Sequence, residues 1–351
     1  MEFKERVEAA LWPRLIRSGW LPDGDSYRAH RIRREQLGHV RLAAIREELG
    51  CDPVGAFRAE DLPPLSEYDL VRVLGFGHLA TDYLTASLLP AGQAPASWPA
   101  LGALSNLIVS LFDLMVDSGL GGPPLEQFGR WIAARCAGDK PEAVRLPAPL
   151  ALIRRLVELY FRSLRLAAPR AVVADTSRCV WAMYEAEIAS LGPAPSPRAV
   201  RRKNVLPFLV AALPAWAAAP AARRQGFLPF AKGVYHFGTF IGLIDDVADF
   251  EHDRREGQAN SLAGRLPETP DQSELAERAA DALYRCLQRL IRPGQAPNLD
   301  RPRSGQPAEV PLFPVAALMT WWDIPYHKAM GPNGPSYPGT SPEGKRIRGF
   351  L

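Results

Sequence analysis

Two stretches of the sequence carry carboxylates at helical spacing inside apolar runs. The first is Ser105-Asn-Leu-Ile-Val-Ser-Leu-Phe-Asp-Leu-Met-Val-Asp117. It sets Asp113 and Asp117 four residues apart, one turn above the other on a single helix face. Their neighbours Leu107, Ile108, Val109, Leu111, Phe112, Leu114, Met115 and Val116 predict burial. Two acids on a buried helix are costly unless paired or metal-bound. The alternative is a surface Asp117 ahead of the Gly119–Gly122 stop, with Asp113 in an ion pair. The second stretch is Phe237-Gly-Thr-Phe-Ile-Gly-Leu-Ile-Asp-Asp-Val-Ala-Asp-Phe-Glu-His-Asp253. Asp245, Asp249 and Asp253 fall at i, i+4 and i+8, and Asp246 follows Asp245. Gly238 and Gly242 leave room for another helix or a substrate to come close; an ordinary solvated acidic helix is the plainer alternative. Carboxylates suit Mg²⁺, which is usually held by one or two of them plus phosphate oxygens. If the two helices face each other across a bundle, Asp113, Asp117, Asp245, Asp249 and Asp253 can hold metal ions that grip a diphosphate, with Asp113 and Asp245 as catalytic residues.

Cations and walls accompany the acids. Arg201-Arg-Lys-Asn204 precedes an apolar helix, and backbone N–H groups at a helix start favour an anion. Arg202, Lys203 and Arg254 are the diphosphate-binding candidates. A solvated basic loop and a salt bridge for Arg254 are the alternatives. Phe112, Phe208, Phe237, Phe240 and Gly242 are candidate cavity walls, with Phe76, His78, Tyr83 and Trp216 beside them; core packing is the alternative for each ring. Glu185 and Glu187 read as a surface pair, with one of them a ligand or proton acceptor as the alternative. Trp321-Trp-Asp-Ile-Pro-Tyr-His-Lys328 is a candidate cap over the site. Gly75-Phe-Gly-His-Leu-Ala80 has the spacing of a dinucleotide loop. No strand precedes it, so it reads as a piece of helix.

The elements that must position these residues are helices. Apolar residues recur at three and four spacing over 2–18, 36–49, 66–89, 103–118, 125–137, 148–168, 170–191, 202–218, 226–254, 272–291 and 312–329. Alternating β-branched runs and hairpin signals are almost absent. Proline-rich loops punctuate the chain at 90–99, 192–197 and 292–311. The expectation is all-α: one helical-bundle domain over 1–330 with a central cavity, and a flexible basic tail over 331–351.

The formal net charge is only +4, which argues against wrapping around nucleic acid but suits anionic substrates. The N-terminus has no long apolar run of the signal-peptide kind, and the apolar stretch 205–222 is broken by Pro207, Pro214 and Pro220. No transmembrane segment is therefore expected. Cys51, Cys136, Cys179 and Cys286 form no CxxC pair and read as reduced thiols of a cytoplasmic protein.

At the two aspartate clusters the chain resembles the type I isoprenoid synthases: polyprenyl diphosphate synthases, squalene and phytoene synthases, and terpene cyclases. Asp245-Asp-Val-Ala-Asp249 resembles their second DDxxD motif, and Gly238 matches a glycine of that helix. The chain is more closely similar to the bacterial tetraprenyl-β-curcumene synthase family. Leu111-Phe-Asp-Leu-Met-Val-Asp-Ser118 resembles its DxxxD motif. Leu243–Arg254 with Gly257 and Asn260 resembles its second motif. The resemblance covers residues 70–265, and its motifs are the specific part. Polyprenyl synthases also carry a diphosphate-contacting lysine at about the separation of Lys203 from Asp245. The departures are informative. Ser-Gly-Leu-Gly-Gly follows Asp117 where chain-elongating enzymes carry paired arginines, Gly242 stands where a glutamine is frequent, and the Asn-Asp-x-x-Ser-x-x-x-Glu motif of ordinary cyclases is missing.

The resemblance implies a type I isoprenoid synthase fold and a class I terpene synthase. Such an enzyme ionises an allylic prenyl diphosphate of C15–C35 length with Mg²⁺, three per diphosphate with Mn²⁺ able to substitute. A homodimer is compatible with it. The alternatives are a prenyltransferase of the same fold, head-to-head or acceptor-directed, and a non-catalytic helical scaffold with degenerate motifs.

Overall fold

A computed structural model describes residues 2–56, 65–86, 97–191, 195–219, 226–257, 260–262, 272–291 and 313–322. Thirteen helices and no strand occur among them: α1 Phe3–Arg17, α2 Gly24–Leu49, α3 Pro53–Ala56, α4 Glu67–Thr85, α5 Ser97–Asp117, α6 Pro123–Ala137, α7 Ala148–Ala167, α8 Arg170–Ser190, α9 Pro197–Ala218, α10 Phe227–Ala248, α11 Phe250–Glu256, α12 Gln272–Ile291 and α13 Phe313–Trp321. The chain is all-α, as the apolar periodicity predicts. It divides into two compact units. One holds Met1–Ile32, Ala189–Val205 and Ala231–Leu351; the other holds Arg33–Ile188 and Leu206–Phe230. The expected loop at 292–311 and tail at 331–351 lie outside the described residues.

Helix boundaries follow local chemistry. Ser66 caps α4 in a reciprocal box: its Oγ accepts from Asp69 N at 3.3 Å, and Asp69 Oδ2 accepts from Ser66 N at 2.9 Å. Gly122 precedes Pro123 at the start of α6, and Gly138 ends that helix at φ 87°, a left-handed position that suits glycine. Several boundaries differ from the periodic reading, α9 among them, which starts at Pro197 rather than at 202. α2 starts at Gly24, because Asp23 Oδ1 accepts from Ser26 N at 2.8 Å and supplies a start that an arginine-rich, weakly amphipathic run does not announce. α5 starts at Ser97 and takes Pro99 into its first turn, where a missing N–H costs nothing. The long helix expected over 226–254 is interrupted at Asp249.

In the Arg33–Ile188 unit, α4 and α5 approach through small residues. A β-carbon on Gly102 of α5 would overlap the Thr81 hydroxyl of α4, and one on Gly77 would lie 2.5 Å from Asn106 Cβ. Asn106 Nδ2 donates to the Val73 carbonyl at 2.9 Å across the same contact. Gly75 does the same for α2, where Arg34 sits against it. The Gly75–Ala80 spacing is therefore helix packing. Pro214 inside α9 leaves the Val210 carbonyl without its helical donor, and the Tyr160 hydroxyl of α7 supplies one at 3.3 Å. In the other unit α1 lies on α12: Arg14 pairs with Glu277 at 2.8 Å and Asp281 at 3.2 Å, and Trp20 stacks on Tyr284 at 5.1 Å. Among the described residues two helices are long and apolar enough to cross a membrane by length and composition. They are α5 and α10, not the 205–222 stretch; 72% of the α5 window is buried inside the protein.

Gly102→Ala forces a methyl group into the Thr81 side chain. We expect a loss of about 1–3 kcal/mol in denaturant-induced unfolding, the range for an overpacked core position.

Candidate functional site

The second carboxylate cluster lies at the junction of α10 and α11, in the unit that contains both chain ends. Its four aspartates have different surroundings. Asp245 and Asp249 are half-buried. Asp246 and Asp253 are buried, at 8% and 9% exposure, and face the turn after α11. The Ser261 hydroxyl donates to Asp246 Oδ2, and Asn260 Nδ2 donates to Asp253 Oδ2 at 2.8 Å. Burial pushes the Asp246 carboxyl up to about 6; Ser261 and Lys203 act against that shift and Asp253 adds to it. The junction keeps part of the helical ladder, with Asp249 N donating to Asp245 O at 2.9 Å and Asp253 N to Asp249 O at 2.8 Å.

The glycines of α10 decide what stands opposite. A β-carbon on Gly238 would lie 2.6 Å from the Asn204 carbonyl and 2.7 Å from Val205 Cα, and one on Gly242 would overlap the Asn204 carboxamide. The neighbour that these glycines admit is thus α9, and Gly242 faces Asn204 where a cavity wall was expected. This approach carries Lys203, half-buried on α9, into the field of Asp246. Arg202 is half-buried and Arg254 exposed. Phe237 and Phe240 have no exposed surface; Phe237 stacks on Phe313 of α13 at 6.1 Å, so both rings belong to the packed core. Trp322, from the expected C-terminal cap, is buried and donates its indole N–H to the Ile244 carbonyl at 3.0 Å. The rest of that cap, from Asp323 on, lies outside the described residues.

The first pair belongs to the other unit. Asp113 is half-buried on α5 and Asp117 is exposed at its last turn. Phe112 is buried against Phe128 at 5.7 Å and Tyr184 at 5.7 Å, and Phe208 meets Phe76 edge-on at 6.4 Å. Glu185 is exposed as expected. Glu187 is not: at 4% exposure it is buried on α8, one turn from Tyr184. A further polar group escapes sequence reading because it joins two helices. Arg41 Nε of α2 donates to His78 Nδ1 of α4 at 3.2 Å. Asp82 stands 3.7 Å from His78 Nε2, too long for a hydrogen bond, and 3.5 Å from Arg33. Burial first, then the two guanidiniums, push His78 down to about 3, so it is neutral.

No protein-family model matches the chain, and no curated protein sequence matches it. The chemistry therefore rests on the groups themselves. Among the described residues no three His, Cys, Asp or Glu side chains are grouped to hold a metal ion. Asp245 and Asp249 offer two carboxylates a turn apart, a donor set that suits Mg²⁺ when phosphate and water complete its shell.

His78 yields a pH prediction. An unfolded histidine titrates near pH 6.5, whereas His78 refuses the proton until about 3. Between these values the unfolded chain binds a proton that the folded chain does not, so stability falls as pH falls from about 6.5 towards 3. Denaturant unfolding at pH 7 and pH 4.5 is expected to show a smaller loss for His78→Gln than for the parent chain.

Proposed function

We propose that this protein is a Mg²⁺-dependent class I terpene synthase of the type I isoprenoid synthase fold, ionising an allylic prenyl diphosphate and cyclising or eliminating the resulting cation. The observation that carries the reading is the second cluster: half-buried Asp245 and Asp249 at the end of an apolar helix, with Lys203 of α9 in the field of their neighbour Asp246. Two acids at the mouth of an apolar helix are costly on their own and productive next to metal-bound phosphate. The prenyl chain and the C15–C35 range rest on the resemblance of the two aspartate motifs.

In this reading Asp245 and Asp249 would hold Mg²⁺ at the diphosphate, the resemblance assigns a second carboxylate pair to Asp113 and Asp117, and Asp253 braces the junction through Asn260. Mg²⁺ held there would supply the charge neutralisation that a departing diphosphate needs. Lys203, with Arg202 and Arg254 as further cations, adds positive charge where negative charge develops, the arrangement that contributes most to such a step. Apolar side chains keep water from the allylic cation.

The test is incubation of the purified protein with single C10, C15, C20 and C25 allylic diphosphates, with and without Mg²⁺. Pyrophosphate release and the organic extract are followed together. Metal-dependent release with a hydrocarbon product is expected. Asp245→Asn lowers kcat/KM by roughly 10²–10³-fold, the size of a lost transition-state contact. Asp113→Asn does likewise, and the double variant loses little more than the worse single one if both pairs serve one step. Release that needs an added acceptor assigns a prenyltransferase. No release from any chain length leaves a non-catalytic scaffold.

A further inference from the structure

Two backbone carbonyls near the end of α10 accept hydrogen bonds from side chains distant in sequence. Ile244 O accepts from Trp322 Nε1 at 3.0 Å, and Asp246 O accepts from Asn260 Nδ2 at 2.7 Å; both bonds are buried. In an uninterrupted helix these carbonyls serve the N–H groups of Ala248 and Phe250; α10 is still helical at Ala248, so Trp322 is an additional donor at 244, whereas Asn260 bonds the carbonyl whose helical partner, Phe250, lies beyond the break. A side chain entering that ladder is one of the few causes of a sharp helix bend. The break follows directly, at Asp249, whose φ of −101° and ψ of 3° leave the helical region.

Both donors are anchored in turn. The Asn260 amide also donates to Asp253 Oδ2, and its oxygen accepts from Leu262 N at 2.9 Å. The Trp322 carbonyl accepts from Lys4 Nζ at 2.8 Å, and its ring is 3% exposed. On the far side of the break Phe250 packs on Phe3 of α1, with ring centroids 4.0 Å apart. The bend is thus held at 244, 246 and 250, and Asp245 and Asp249 lie between those points.

We propose that Trp322 and Asn260 are positioning residues: by occupying the 244 and 246 carbonyls they set the bend and hence the direction of the Asp245 and Asp249 carboxylates. This rests on the metal–diphosphate reading of that pair. The inference adds two residues that touch neither metal nor substrate and act through the helix backbone.

Trp322→Phe keeps an aromatic ring and removes the N–H donor. Asn260→Leu keeps the size and removes all three bonds of the side-chain amide. Two measurements are made on the parent chain and each variant: calorimetric binding of inorganic pyrophosphate with and without Mg²⁺, and amide hydrogen exchange over 247–252. The parent is expected to bind pyrophosphate only with Mg²⁺. Each variant is expected to bind it about 10–100-fold more weakly, as when an outer support of a metal ligand is lost. Exchange over 247–252 quickens in both, while Trp322→Phe keeps the parent's melting temperature within a few degrees. Unchanged exchange in both variants overturns the clamp. Faster exchange with undiminished pyrophosphate affinity overturns its role in aiming the carboxylates. A parent chain that binds no pyrophosphate with Mg²⁺ overturns the proposed function, and the aiming role with it, while the exchange data still decide whether the clamp exists.

Discussion

The approach of α9 to α10 at Gly238 and Gly242 governs the charged chemistry in its unit. With no side chain at either position, Asn204 lies directly on α10 and its neighbour Lys203 comes within the field of Asp246. Any larger residue would push the helices apart by the width of the added group, because packed interiors have no slack to absorb it. A lysine displaced by that much interacts more weakly with the carboxylate, since the attraction falls with distance. Steric permission at two glycines is thus converted into an electrostatic arrangement.

The four aspartates at the helix junction illustrate how one short acidic run serves two purposes. Asp246 and Asp253, seven apart, share a side and meet the hydroxyl of Ser261 and the amide of Asn260. Buried carboxylates are tolerable when such donors are present. Asp245 and Asp249, four apart, are less enclosed and fall on a different side. The structural pair holds the turn after α11 against the helix; the other pair keeps partial access to solvent.

Much of this was legible in the sequence. The 3.6-residue rhythm gave the helices, and the paired glycines before Asp245 signalled a close approach. What stood opposite them was not legible, since a substrate and a helix leave the same gap in a pattern; only Asn204 in place distinguishes the two. The split among the acids was also hidden, because i, i+4, i+8 spacing assumes an unbroken helix and the break at Asp249 depends on donors from Asn260 and Trp322. The burial of Glu187, read as half of a surface pair, and the grouping of His78 with Arg41 and Asp82 were hidden for a related reason: burial between helices is a tertiary property that no local run of residues encodes. The membrane-length apolar runs in α5 and α10 reflect the same ambiguity, since a core helix and a spanning helix share composition.

The bond from Lys4 to Trp322 joins residues 318 positions apart, and Trp322 in turn touches the carbonyl beside Asp245. Contacts of such sequence separation form late, after the entropy of closing the intervening chain has been overcome. During synthesis the acidic helix junction must therefore wait until Trp322 has left the ribosome before its last supports arrive. A nascent or prematurely terminated chain would carry all the carboxylates discussed above and still lack their final geometry.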